Sequence, residues 1–278
     1  ELADRPRALC VKIGQRGAAA AVLEHAVQRA VHRSGRLPVA EPIAFAVEEP
    51  ISGHPCIVSE WVDGSRLDRL AHTLSVNSAS KLLERLASGL AALHRVSFER
   101  TGWLASDGDA LGITASVRLD GAALCAYAEP RIGVGPGRGH IGDARADRLL
   151  EWLARNAFVL DEVAETACLC HGDFGGENIL LDAGGGFCVL DWEFACAGTP
   201  SLDLGHLLRA PFVEPPLFEA LLGAAYQRAG GRLSERWILQ ARLTDLFAWL
   251  GFLERPALGT EIVESACTQI DRLIDCAP

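Results

Sequence analysis

The chemistry of this chain concentrates between Leu169 and Asp191. The run Leu169-Cys170-His171-Gly172-Asp173-Phe174-Gly175-Gly176-Glu177-Asn178-Ile179-Leu180-Leu181-Asp182 puts Asp173 and Asn178 five residues apart on a glycine-containing loop. Residues 168–170, 179–181 and 187–190 read as short strands, and Asp182-Ala183-Gly184-Gly185-Gly186 joins the last two as a hairpin. A hairpin brings its two ends together. Asn178 starts the outgoing strand and Asp191 follows the returning one, so their side chains can converge. An amide oxygen and a carboxylate, with room left for water and phosphate, suit Mg²⁺. Asp173 is then placed to accept a proton or orient a hydroxyl. The plain alternative is a loop whose Asp and Asn make only turn hydrogen bonds.

Other elements must hold these groups. Residues 7–13 read as a strand with Lys12 inside an apolar stretch, and Asp4-Arg5-Pro6-Arg7 as a turn into it. Such a lysine is either an edge residue reaching solvent or a phosphate ligand. Residues 18–31 carry apolar side chains at helical spacing, with Glu24 as the one acidic residue. Residues 43–47 and 55–61 read as strands around the turn 49–54, and 67–70 as a short helix. The clearest helix is 78–96, where Leu82, Leu86, Leu90 and Leu93 share a face. His94 near its end reads as structural. From 98 to 142 glycine and small residues dominate, and a flexible substrate-side loop is expected. There Arg138, His140 and Asp143 either line a substrate or mark a surface turn. The stretch 133–139 lacks the preceding strand and the Lys-Ser/Thr ending of a phosphate loop. Residues 144–167, 216–229, 234–253 and 260–274 read as helices, with Ser234 as a cap. Asp245, Glu254, Glu261, Glu264 and Asp271 read as solvated faces of the last helices.

The 278 residues suffice for a sizeable core in one or two domains. At 49% hydrophobic and 22% charged residues, the composition is that of a globular protein. No apolar run reaches the roughly 20 residues of a membrane span. A net charge of −10 argues against a nucleic-acid binder and is compatible with a cationic small substrate. The nine Cys lie mostly in apolar contexts and read as reduced core residues of an intracellular, cytoplasmic protein. Cys168, Cys170 and His171 do not match the spacing of zinc pairs. The absence of Met, and a start almost directly on a strand, suggest an incomplete chain.

His-Gly-Asp-x-x-x-x-Asn followed by the strand-terminal Asp191-Trp192-Glu193 resembles the aminoglycoside phosphotransferase family, relatives of protein kinases. The Gly-Gly-Glu-Asn version is similar to viomycin-type antibiotic kinases. The resemblance implies an α+β, two-lobed kinase-like fold. Residues 1–62 would form a small β-rich nucleotide lobe, apparently truncated, and 63–278 a larger helical catalytic lobe. It implies transfer of the γ-phosphoryl of ATP or GTP to a small-molecule hydroxyl. Asp173 would be the catalytic residue, Asn178 and Asp191 the Mg²⁺ ligands, and Lys12 the phosphate ligand paired with Glu24. Glu60-Trp61-Val62-Asp63-Gly64 resembles the hinge, with the Glu60 carbonyl and the Val62 amide binding adenine. Asp203 would anchor the catalytic loop, and Glu193 would reach the metal region. C-terminal carboxylates would receive amino sugars. One departure stands out: the eleven residues before Lys12 contain no glycine for the family's phosphate-covering loop. An aminoglycoside-like or other cationic antibiotic is the first expected acceptor. An amino alcohol, homoserine or sugar is the second, and a non-catalytic nucleotide-binding scaffold a third reading.

Overall fold

The computed structural model describes residues 8–14, 16–48, 53–108 and 110–275. The expected turn at Asp4-Arg5-Pro6-Arg7, and most of the turn 49–54, lie outside them. The architecture is α+β, with small antiparallel sheets among many helices.

Strand β1 (Leu9–Ile13) leads through a glycine-flanked loop into α1 (Ala18–Ser34), which stops at Gly35 in the left-handed conformation. β2 (Pro42–Ala46) and β3 (Cys56–Glu60) follow, and the sheet order is β1-β3-β2 with Lys12 opposite Ile57. The buried face of α1 is not purely apolar. Glu24 and Gln28 lie there, one turn apart, beside Ala21, Val27 and Val31. Gln28 Nε2 donates to Ala40 O (2.9 Å) and Ser59 Oγ (3.2 Å), so the amide ties α1 to the sheet.

A short strand β4 (Ser65–Arg66) and the single turn α2 (Leu67–Leu70) open the next part. α3 (Val76–Leu93) is capped by Ser75, whose Oγ accepts from Ser78 N at 3.2 Å. Its leucine face buries Leu82, Leu83, Leu86, Leu90 and Leu93.

The stretch 98–142 is not the expected loop. It forms the hairpin β5 (Gly102–Asp107) and β6 (Ala110–Ser116), then α4 (Gly121–Ala128), a π-helical turn, and α5 (Pro136–Ile141). Several of its glycines mark close approach rather than freedom. A Cβ on Gly102 would strike Ala115 O, and one on Gly121 would strike Ala157 O. Arg138 pairs with Asp143 (2.7 Å) and Asp147 (2.9 Å), and His140 Nε2 with Arg255 O (2.9 Å).

α6 (Asp143–Asn156) ends earlier than its apolar pattern suggests and passes into a 3₁₀ segment, Ala157–Glu162. Then come β7 (Cys168–Cys170), β8 (Ile179–Leu181), β9 (Phe187–Val189) and β10 (Cys196–Gly198). One sheet runs β6-β5-β10-β7 and another β4-β8-β9. The helices α7 (Pro200–Leu208), α8 (Pro215–Arg228), α9 (Trp237–Leu253) and α10 (Thr260–Ile274) complete the chain. Ser234 does not cap α9. Its hydroxyl donates to Gln240 Oε1 and accepts from Arg236 N, and the helix starts later, at Trp237.

Among the described residues two large apolar cores result, beside a small cluster of Cys168, Cys170 and Cys196. One joins α3 and α8 to Phe174, Ile179 and Trp192 beneath the loop 171–178. The other gathers α4, α6, α9 and α10. α9 contributes Ala241 to the first and Leu239, Leu243 and Leu246 to the second, so it is apolar nearly all round. Among the described residues no helix is long and apolar enough to cross a membrane.

Candidate active site

The hairpin β8–β9 forms in the expected register, with Ile179 opposite Val189, and Leu190 N donates to Asn178 O at 2.8 Å. Asn178 and Asp191 therefore sit at adjacent strand ends. The Asn178 amide is turned so that Nδ2 donates to Asp173 O and Asp173 Oδ2, both at 2.9 Å. Its Oδ1 consequently faces away from Asp173. Asp191 has φ 62°, the left-handed region, and is the only such non-glycine residue among those described. Strain of this kind costs on the order of 1–3 kcal/mol and concentrates at functional sites.

The loop itself is fixed from below. Asp203, fully buried on α7, accepts from His171 N and Gly172 N, each at 2.9 Å. Gly172 has φ 80°, and a Cβ there would strike Phe194 O, so only glycine fits. His171 is buried, with Nε2 2.8 Å from Leu190 O and Nδ1 accepting from Asp173 N at 3.2 Å. These partners specify a neutral ring protonated on Nε2. The ring packs edge-on against Phe174 and Trp192. His94 closes α3 with Nε2 3.1 Å from Asp203 Oδ2 and Nδ1 2.8 Å from Tyr226 Oη, so it is the structural histidine expected. Burial alone would push the Asp203 carboxyl up. The hydrogen bond and charge of His94, with the His171 N–H, hold it below the usual carboxylate range.

Lys12 reaches this loop from β1. Its Nζ lies 2.8 Å from Glu24 Oε1, 2.5 Å from Asp191 Oδ1 and 3.5 Å from Glu193 Oε2. The Glu24 side chain is 7% exposed and that of Asp191 42%, so one partner is built in and the other is open to exchange. Burial works against the ammonium, but the hydrogen bonds to Asp191 and Glu24 outweigh it and raise its pKa. Burial also raises the Glu24 carboxyl, which Lys12 only partly offsets, since three carboxylates share one cation. Arg16 adds a second contact, donating to Glu193 O at 3.1 Å and lying 4.4 Å from the Phe194 ring centre.

Thus two groups of contacts, Lys12 with Glu24 and Asp191, and Asn178 with Asp173, are joined through the backbone bond from Leu190 N to Asn178 O. Glu60 and Val62 lie apart from them, where β3 leaves its sheet. The Glu60 amide donates to Glu41 O, its Oε1 accepts from Glu41 N, and Trp61 N donates to Ala8 O, each at 3.0 Å.

One residue beside Asp173 escaped sequence reasoning, and a second, Asp245, differs from its expected solvated position. Arg209, at the end of α7, has Nη1 3.9 Å from Asp173 Oδ1. It pairs with Asp245 on α9, which is 4% exposed and not a solvated face. An Asp embedded in an otherwise apolar helix was the available signal.

The loop thus presents Asp173 and Asn178 in mutual contact, and Asp191 meets the pair formed by Lys12 of β1 and Glu24 of α1. The "Phosphotransferase enzyme family" (APH) profile matches residues 2–238, and the chain belongs to that family. Its fold is the two-lobed kinase-like one. The GDP and kanamycin complex of APH(2'')-IIia superimposes with TM-score 0.68 at 15% identity, covering 95% of this chain and 86% of that one. The ternary complex of a thermostable APH(4)-Ia mutant with AMP-PNP and hygromycin B gives 0.63 at 21% identity, covering 97% and 86%. Macrolide 2'-phosphotransferase type I gives 0.59 at 18%, covering 95% and 83%. Acyl-CoA dehydrogenase family member 11 of Mus musculus is 30% identical over 192 residues, 66% of this chain. The chain spans only 22% of that relative's length. Membership in an enzyme family removes the scaffold reading.

Proposed function

We propose that the chain transfers the γ-phosphoryl of ATP or GTP to a hydroxyl of a small molecule in a Mg²⁺-dependent reaction. The carrying observation is the convergence of Lys12–Glu24, Asp191, Asn178 and Asp173. Residues 1–62 serve as the nucleotide lobe and 63–278 as the catalytic lobe. The Glu60 carbonyl and Val62 amide receive adenine, and a nucleotide co-substrate is supported by the AMP-PNP and GDP held by proteins of the same fold.

The oxygen donors fit a hard cation: Asn178 Oδ1, turned away from Asp173, and the half-exposed Asp191 carboxylate. Bound there, Mg²⁺ supplies charge neutralisation for the phosphates. Lys12, released from Asp191, positions the α- and β-phosphates while Glu24 keeps hold of it. Asp173, fixed through Asn178, orients the acceptor hydroxyl and takes its proton late. Such a reaction asks mainly for positioning and electrostatics, which a pre-clamped loop provides.

An aminoglycoside-like or other cationic antibiotic is the first acceptor reading. It is supported by the net charge of −10 and by the kanamycin and hygromycin B held by proteins of the same fold. A metabolic hydroxyl compound (amino alcohol, homoserine or sugar) is the second. One observation favours its uncharged member, a sugar: Asp245, the carboxylate bound to the arginine beside Asp173, is buried and already paired, so it is not open to an acceptor ammonium. A panel of kanamycin, hygromycin B, homoserine, choline and hexoses, followed by ADP formation, tests both. One class should stimulate Mg²⁺-dependent ADP release that Asp173→Asn abolishes while AMP-PNP still binds. Full turnover in Asp173→Asn would remove that residue from its role.

A further inference from the structure

Arg209 has no part in the reaction as written above, yet its guanidinium faces Asp173. Nη1 lies 3.9 Å from Asp173 Oδ1. The rest of the group is held firmly. Nε donates to Asp245 Oδ1 at 2.8 Å, and Nη2 lies 2.7 Å from the same oxygen. The Arg209 Cζ sits 5.0 Å from the Trp249 ring centre, and Trp249 Nε1 donates to Asp245 Oδ2 at 2.7 Å. The Arg209 carbonyl accepts from Gln269 Nε2 at 3.1 Å, so α10 fixes the backbone as α9 fixes the side chain.

The two oxygens of Asp173 are thereby distinguished. Oδ2 accepts from Asn178 Nδ2. Oδ1 faces the cation at a distance too long for a hydrogen bond and short enough for substantial attraction in a partly buried site. A cation so placed holds the carboxylate in one orientation and leaves the Oδ1 lone pairs open to an acceptor hydroxyl. A merely structural Arg–Asp pair needs no such aim. The Nε and Nη2 edge of the guanidinium faces the single oxygen Asp245 Oδ1, with only Nε hydrogen-bonded, and Nη1 is left toward Asp173.

We infer that Arg209 is a positioning residue for Asp173, set in place by Asp245 and Trp249. This rests on the reading of Asp173 as the group that orients the acceptor hydroxyl.

The test uses the full chain with Mg·ATP as probe and water as acceptor, with ADP formation giving kcat and AMP-PNP titration giving nucleotide affinity. Arg209→Ala should lower kcat by roughly 10- to 100-fold, the scale of a misplaced reacting group, and leave AMP-PNP affinity within about twofold. Guanidinium chloride at tens of millimolar should restore part of that loss, against sodium chloride at equal ionic strength. It should not restore Asp173→Asn. Arg209→Lys keeps the charge without the fork and should lose less than Arg209→Ala. If Arg209→Ala proves unfolded by circular dichroism, Arg209→Lys and Asp245→Asn carry the test through the same split between kcat and affinity. Wild-type kcat in a folded Arg209 variant, beside an inactive Asp173→Asn, overturns the inference alone. Equal losses of kcat and AMP-PNP affinity also overturn it, since they mark general disruption. Retained turnover in Asp173→Asn overturns the reading of Asp173 and this inference with it.

Discussion

The loop 171–178 and the Lys12 cluster hold charged groups in opposite ways. The loop hangs on a fully buried carboxylate, Asp203, whose two oxygens are filled by two backbone N–H groups and a histidine. The Lys12 cluster shares one ammonium among three carboxylates of unequal exposure. The first arrangement has one low-energy state. The second has several, because Lys12 can trade the exposed Asp191 for another anion while Glu24 retains it. On the proposed function, preorganisation falls where the acceptor hydroxyl would be aimed. Exchangeability falls where a polyanion would enter and leave.

Breaking the buried side should give the largest effect. In Asp203→Asn, the remaining oxygen serves one of the two N–H groups and the new amide faces the other. Removing one partner from a buried charged network costs about 3–5 kcal/mol. Urea unfolding should show a loss of that size, with phosphoryl transfer falling alongside it. A variant with wild-type stability would mean that water, rather than Asp203, can satisfy the loop.

The same side should respond to acid in two stages. His206 is fully buried with Nε2 3.4 Å from Asp245 Oδ1. Burial and the charge of Arg209 bring its pKa down to about 4. The unfolded chain therefore binds this proton first, and the neutral ring contributes stability that is lost as pH falls from the ordinary histidine range toward 4. Between pH 7 and pH 5 the loss is about 2 kcal/mol by linkage. Asp203, with its pKa depressed, adds a second loss only at lower pH, as its own carboxylate protonates. His94 runs the other way, since its raised pKa gives stability that fades as pH rises through it. Comparing urea unfolding of the wild type with His206→Gln at both pH values isolates the first stage. A difference that does not change with pH would mean that folding leaves the His206 pKa unshifted, and a change of opposite sign that the ring is charged in the fold.

The contrast also explains what the sequence disclosed. The loop and the hairpin were legible because each rests on local spacing and strongly directional chemistry, whereas the Lys12–Glu24 pair followed only from the family resemblance. The helix Thr260–Ile274 and the turn Leu67–Leu70 were legible from apolar periodicity. The hairpin and helices of 98–142 were not. Glycine signals a tight neighbour and a free chain equally well, and the neighbours of Gly102 and Gly121 become visible only once Ala115 and Ala157 are placed. Arg209 and Asp245 meet across 36 residues, and nothing local pairs them. Ser234 had the right type for a cap, but its hydroxyl found a stronger claim in Gln240.

The smallest expected effect lies on the exchangeable side, and it separates two roles for Glu193. Its contact with Lys12 is the longest of the three, at 3.5 Å, and the side chain is 25% exposed. As a third counter-charge only, Glu193 contributes about 0–1 kcal/mol, the range of partly solvated ion pairs. Glu193→Gln should then leave kcat unchanged and shift the KM for Mg·ATP by about fivefold at most, downward, because the substitution removes one competitor for Lys12. A carboxylate that also reaches the metal behaves differently. Its loss would raise the Mg²⁺ concentration needed for half-maximal turnover, while Lys12 would stay bound to Glu24. Titrating Mg²⁺ at fixed ATP in Glu193→Gln decides between them. An unchanged Mg²⁺ midpoint assigns Glu193 to Lys12. A raised midpoint assigns it to the cation, beside Asn178 and Asp191.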